Sequence, residues 1–70
     1  MITLDQIRIK LQEGIKLSGM SQSEIARRVG ITAQSVSSYM LGHRMPALDT
    51  LANLCVVLDL DANEILCLPR

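Results

Sequence analysis

The apolar residues of this chain recur every three or four positions, which is the spacing of an α-helix. Leu4, Ile7, Leu11 and Ile15 place apolar side chains on one face of a helix over residues 4–17. Alternation of apolar and polar residues never continues beyond a few positions, so no half-buried β-strand is predicted. The pattern indicates an all-α fold.

Residues typical of helix ends divide the chain into segments. Three positions carry Ser, Thr or Asp followed three residues later by Glu or Gln, the sequence of a capping box: Thr3 with Gln6, Ser21 with Glu24, and Asp61 with Glu64. Gly30 and Gly42 follow apolar runs and favour the left-handed conformation that ends a helix. We therefore predict one domain of residues 1–70 with five helices, over residues 4–17, 22–29, 33–41, 48–58 and 62–67.

Residues 22–41 predict a helix-turn-helix motif, because two short helices meet there at Gly30. Ala26 is small enough to let the second helix lie close to the first. Tyr39 belongs to the apolar side of the second helix, so we expect it in the core rather than at a ligand. The outward positions of that helix are small and polar, and such a helix can enter a DNA major groove about 12 Å wide.

Composition narrows the function classes. The chain has 70 residues, a single aromatic side chain and two cysteines, which argues against a base-stacking surface for single strands and against a disulfide scaffold. Its longest aliphatic stretch, residues 54–58, is far shorter than the about 20 residues of a membrane span. The N-terminal sequence lacks the pattern of a signal peptide. We expect a cytoplasmic protein with free thiols and no membrane partner.

Two segments resemble the helix-turn-helix domains of phage repressors and Cro proteins, the XRE-type group. They are MSQSEIARRVGITAQSVSSYMLGHRMP at residues 20–46 and LDTLANLCVVLDLDANEIL at residues 48–66. The resemblance implies a compact five-helix, lambda-repressor-like fold. It also implies sequence-specific binding to double-stranded DNA by a transcriptional regulator.

The resemblance also implies roles for individual residues. Base edges are read from the first turns of the second motif helix, which carry Ala33, Gln34, Ser37 and Ser38. Phosphate contacts come from the start of the first motif helix and from the basic loop, which correspond to Gln22, His43 and Arg44. We also expect phosphate contacts from Thr32 at the start of the second motif helix and from Arg28, whose side chain is expected to be exposed. In the family, the glutamine at the place of Gln22 often also supports the one at the place of Gln34. The alternative for the polar face is ordinary solvation.

Two departures from the family pattern affect the expected packing. The family often pairs an Arg of the first helix with a Glu of the third, and Ile15 and Met40 stand there in this chain. Replacing a buried ion pair by apolar residues is often neutral or stabilising, but it predicts that no polar contact orients the third helix. Ala47 replaces the usual Ser or Thr, which predicts a weaker cap for the fourth helix.

The fourth helix is apolar in nearly every direction, which predicts burial against a second chain. A homodimer is the simplest partner, and it would place two recognition helices about one DNA turn apart on a near-palindromic site. We expect its interface to include apolar residues of the C-terminal part: Val57, Leu60, Ile65, Leu66 and Leu68. A monomer with an exposed apolar helix is the alternative.

Two other function classes are alternatives to a DNA-binding regulator. The first is an antitoxin or similar interaction module that holds a toxin on its apolar C-terminal half. The second is a small hydrolase, which is disfavoured because no carboxylate pair or Cys–His pair stands at a suggestive spacing around His43. We therefore predict no enzymatic activity, no metal and no cofactor. Cys55 and Cys67 lie among leucines and are expected to be small apolar core residues.

The formal net charge of zero hides two unlike halves. Residues 1–46 contain six basic and three acidic side chains, whereas residues 47–70 contain one basic and four acidic ones. The part that carries the motif is therefore mildly basic. This favours a selective DNA-binding protein with modest non-specific affinity.

Overall fold

A computed structural model describes residues 1–69, which form five α-helices. They are α1 (Leu4–Leu17), α2 (Gln22–Val29), α3 (Ala33–Leu41), α4 (Leu48–Leu58) and α5 (Ala62–Ile65). The all-α prediction is confirmed, because no strand occurs within residues 1–69. α5 ends two residues earlier than predicted. Its chain turns at Cys67, which has φ 59°, and the N–H of Leu68 closes the turn on the carbonyl of Asn63 at 2.9 Å.

The cap hydrogen bonds agree with those predicted from the sequence, except at α2 and α5. At α1 the capping box is complete, since Thr3 and Gln6 each accept a hydrogen bond from the backbone N–H of the other. At α2, Ser21 accepts from the N–H of Glu24 at 3.1 Å, but the Glu24 carboxylate binds arginines instead of completing the box. At α5, Asp61 accepts from the N–H of Asn63 rather than of Glu64. Ala47 provides no side-chain cap for α4, as predicted.

The core is built where α2 packs against α3 and α4, and α1 packs against α3 and α5. The most deeply buried large side chains come from α1 to α4: Leu11, Ile25, Val36 and Leu54. Tyr39 is only 4% exposed, which confirms its predicted place in the core. The seam between α2 and α3 therefore fixes the position of the second motif helix.

Gly14 allows α1 to approach the C-terminal part of the chain closely. A Cβ atom at Gly14 would lie 2.9 Å from Cδ1 of Leu60, which is closer than real Cβ contacts. Leu60 is half-buried and packs against the core. Its side chain is thus engaged within the protomer.

Candidate nucleic-acid interface

The turn between α2 and α3 is made by Gly30. This residue has φ 86°, and its N–H and that of Ile31 both donate to the carbonyl of Ala26, at 2.8 and 3.0 Å. The left-handed conformation is one that glycine adopts without steric cost. The chain reverses within two residues, and Thr32 then caps α3.

The face of α3 that points away from α2 is accessible. Ala33 and Gln34 are exposed, and Ser37 and Ser38 are half-exposed. Within residues 1–69, no hydrogen bond engages the side chains of Gln34, Ser37 or Ser38. The structure therefore brings all four predicted base-reading residues onto one open surface of small and polar groups.

Gln22 and Thr32 lie at the starts of the two motif helices. Thr32 is already engaged, because its hydroxyl accepts from the N–H of Ser35 at 3.1 Å and lies 3.0 Å from the Ser35 hydroxyl. Gln22 is exposed. No hydrogen bond joins Gln22 to Gln34 among the described residues, so the mutual support expected from the family is not formed in the free protein.

The loop after α3 places two basic residues beside the end of that helix. Gly42 has φ 77°, and the N–H groups of His43 and Arg44 donate to the carbonyl of Ser38 at 2.9 and 3.4 Å. Both side chains are exposed. Arg44 forms no ion pair within the part of the chain that is described, so its charge is available to a ligand.

A three-residue charge cluster occupies the surface of α2. Arg27 and Arg28 bind the Glu24 carboxylate at 2.6 and 2.8 Å. The hydrogen bonds from Arg27 and Arg28 lower the pKa of Glu24 from 4.5 to about 2. The Arg28 bond uses Nε, which leaves its terminal nitrogens without a hydrogen bond to the described residues.

A polar contact does orient α3, contrary to the prediction. Gln12 of α1 donates from Nε2 to the carbonyls of Tyr39 and Met40, at 3.3 and 3.2 Å. The prediction was wrong because it considered only the positions of Ile15 and Met40. The side chain that makes the contact lies almost one turn earlier in α1, and it reaches backbone atoms rather than a side chain.

A second surface, here called the apolar groove, lies between α4 and α5. It is lined by Leu48, Leu51, Ala52, Cys55, Ala62 and Leu66. Leu48 is 86% exposed, and Val56, four residues beyond Ala52 on the same side of α4, is 79% exposed. The second face of the apolar helix α4 is therefore uncovered in the isolated chain.

The residues predicted for the dimer interface are only partly on this surface. Leu66 lines the apolar groove and Leu68 is exposed. Ile65 is 5% exposed and belongs to the core, and Leu60 packs on Gly14. Val57 is nine residues after Leu48, which places it roughly 180° around α4 from the groove. These three side chains are used within the protomer.

Within residues 1–69, the structure gives no support for a metal site, a membrane-spanning helix or a reactive thiol. No group of three His, Cys, Asp or Glu residues is arranged to hold a metal ion there, and none of the helices described has the length and apolarity to cross a membrane. Cys55 is buried and Cys67 half-buried, and both are free thiols. Burial, with a smaller contribution from Asp61, raises the pKa of Cys55 and so disfavours its reactive thiolate.

Comparison with known proteins adds one finding. A family model described as helix-turn-helix matches residues 11–65, a range that begins inside α1 and ends with α5. No curated protein and no solved structure matches the chain significantly. The matched range covers the turn at Gly30, the open face of α3 and the basic loop. The chain thus belongs to the XRE-type helix-turn-helix family, of the Cro/C1 type, and is a DNA-binding regulator.

Proposed function

We propose that this protein is a sequence-specific repressor of transcription, bacterial or from a prophage, that binds a near-palindromic operator as a homodimer. Its mechanism is steric, since a bound dimer occludes promoter DNA. The observation that carries the proposal is the open face of α3, which combines small size, hydrogen-bonding groups and freedom from internal partners. No enzymatic step is part of the proposal.

Base reading is assigned to Ala33, Gln34, Ser37 and Ser38. Gln34 is exposed at the first turn of α3, and a glutamine amide can pair with N6 and N7 of adenine in the major groove. Ala33 has only a methyl group, which suits contact with the methyl group of thymine. The short serines let the helix approach the base edges closely.

Phosphate binding is assigned to the groups around this face. His43 and Arg44 extend from the loop, and Arg28 presents its terminal nitrogens from α2. Gln22 contributes a neutral donor. The Thr32 hydroxyl already accepts the cap hydrogen bond of α3, so towards a phosphate it can act only as a donor. Such contacts orient the protein on DNA without reading its sequence.

Dimerisation is assigned to the apolar groove. Leu48 and Val56 project beside it, and covering them removes apolar surface from water. A two-fold dimer through this surface uses the same patch of both protomers. For operator binding, its two α3 helices must be about 34 Å apart or a multiple of that spacing.

One observation favours a second function. The lining of the groove is apolar and therefore also fits a different protein, as in an antitoxin that covers its toxin. Native mass spectrometry of the protein purified from its own cells distinguishes the two. A mass of twice the chain supports the homodimer, whereas a stoichiometric second protein supports the interaction module.

The repressor proposal is tested by selecting DNA from a random double-stranded pool at about 50 and 200 mM salt. We expect one near-palindromic sequence to be enriched. The affinity for it should fall steeply with salt, by about 10³-fold for six phosphate contacts. A pool that is retained without enrichment of any sequence contradicts the proposal.

A further inference from the structure

The hydrogen bonds of Gln12 differ in kind from the other side-chain hydrogen bonds described. Gln12 reaches residues 27 and 28 positions away, whereas the other side-chain hydrogen bonds described within residues 1–69 join residues at most four positions apart. Gln12 therefore provides the directional polar contact between α1 and α3. Apolar contacts between helices, by contrast, have little directional preference.

The acceptors of these hydrogen bonds are the last carbonyls of α3. Such carbonyls lack partners within the helix and need donors from elsewhere. Gly42 N–H satisfies Tyr39 O at 3.2 Å and His43 N–H satisfies Ser38 O at 2.9 Å. Gln12 adds the donor to Met40 O. The end of α3 and the start of the basic loop are thus held by one connected set of hydrogen bonds.

The side chain of Arg8, one turn earlier in α1, also approaches this end of α3. Its Cδ lies 3.4 Å from the place where a Cβ of Gly42 would be, and Nε2 of Gln12 lies 3.9 Å from the same place. The absence of a side chain at Gly42 therefore allows the two α1 side chains to approach the turn. Arg8 also forms an ion pair with Asp5, which restrains its stem.

We propose that Gln12 is a positioning residue that sets the orientation of α3 and thereby the base preference of the protein. This inference rests on the proposed function. Ser37 and Ser38 immediately precede the carbonyl-bearing residues that Gln12 holds. Productive contacts tolerate displacements of only about 0.5 Å or 10–20°, so a small tilt at this end of α3 weakens base reading more than phosphate binding.

The test compares three variants of the full chain. Gln12→Glu keeps the shape but replaces the donor by an oxygen that faces two carbonyls. Gln12→Lys keeps a donor, and its charge is favourable at a helix C-terminus. Glu13→Gln makes the reverse amide–carboxylate exchange at an exposed neighbouring position and is the matched control.

The measured quantity is the ratio of affinities for the selected sequence and a scrambled one. It is determined by fluorescence anisotropy at one salt concentration, at a temperature where circular dichroism shows every variant folded. We expect Gln12→Glu to lower this ratio about ten-fold, the effect of losing one to two hydrogen bonds. Gln12→Lys should retain it within about two-fold, and Glu13→Gln should leave it unchanged.

Three results would overturn the inference. The first is an unchanged ratio for Gln12→Glu with a lower melting temperature, which makes Gln12 a stabilising residue only. The second is an equal loss for Gln12→Lys, which excludes donation as the cause. The third is a wild-type protein without sequence preference, and this result contradicts the proposed function itself. If Gln12→Glu does not fold, Gln12→Met removes the same donors without adding charge and carries the same expectation.

Discussion

The open face of α3 and the apolar groove are both left uncovered by the fold, but they arise differently. The α3 face consists of small polar groups on a helix whose ends are held by Thr32, Gly42 and Gln12. The groove consists of apolar groups, and its longer helix, α4, begins without a side-chain cap. One surface is thus suited to precise hydrogen bonding, and the other to burial of area, which tolerates adjustment. The difference implies that substitutions on the two surfaces should affect different measurements.

The largest expected effect comes from charge in the groove. Val56→Glu and Leu48→Glu change exposed side chains, so the protomer should remain folded, while two carboxylates would meet at the dimer axis. We expect monomers in sedimentation and a loss of operator affinity on the order of 10²-fold. Ile9→Glu, at an exposed apolar position of α1, is the control. A dimer that survives both groove variants places the interface elsewhere.

The comparison of Gln34→Ala on the α3 face with Arg44→Ala in the loop beside it separates base recognition from phosphate binding. Gln34→Ala should cost about 1–3 kcal/mol of discrimination at one base pair per half-site. Arg44→Ala should weaken binding to all sequences about equally and reduce the salt slope by about 1 per protomer. Selection of DNA by each variant measures both. Equal effects of the two changes on every sequence would show that the role assignments are wrong.

Substitutions in the turn that joins the two motif helices should lower the free energy of unfolding of the protein. Gly30→Ala places a side chain in the left-handed region, at a cost of about 1–2 kcal/mol. No atom lies within 4 Å of the added Cβ, so the cost is conformational. Gly30→Asn should be milder because Asn tolerates this conformation. Urea denaturation measures both, and equal destabilisation by Ala and Asn would instead indicate a steric contact.

The smallest effect is expected from the charge cluster on α2. The pKa of Glu24 is about 2 in the folded protein and 4.5 as the reference value. Its contribution to stability is therefore present above about pH 4.5 and is lost as the pH falls towards 2. The stability difference between wild type and Glu24→Gln, from urea denaturation, should shrink over that range. A difference that is constant with pH contradicts the ion-pair explanation.

Local sequence rules predicted the first four helices because caps and glycine turns act over three or four residues. Gly30 and Thr32 fixed the geometry of the motif in this way, and the open positions of α3 followed from helical spacing. The end of α5 was missed, since a left-handed Cys67 has no strong local signal. Gln12 was missed because its acceptors are backbone atoms that only the packing of α1 on α3 brings near.

The sequence of a helix that is apolar in all directions does not reveal which of its sides will be buried within the protomer. The sequence indicated that α4 has more apolar surface than one small domain can bury. It did not indicate which of these apolar side chains would be buried within the protomer. The close approach at Gly14 occupies Leu60, and the core takes Ile65. The spacing of four residues places Leu48, Ala52 and Val56 along one side of α4, but the buried residues Leu51 and Cys55 have the same spacing, so spacing alone did not identify the uncovered side.

Ala47 lies where the basic loop ends and α4 begins, and it gives no side-chain hydrogen bond to the first turn. That turn is consequently among the least costly parts of α4 to open, and it carries Leu48 at the edge of the groove. In the proposed complex, DNA held by His43 and Arg44 would restrict this motion before a second protomer arrives, and a protomer in the groove would do so before DNA arrives. If DNA binding and dimerisation each order this turn, each leaves less conformational entropy for the other to lose, and the two proposed events then favour one another.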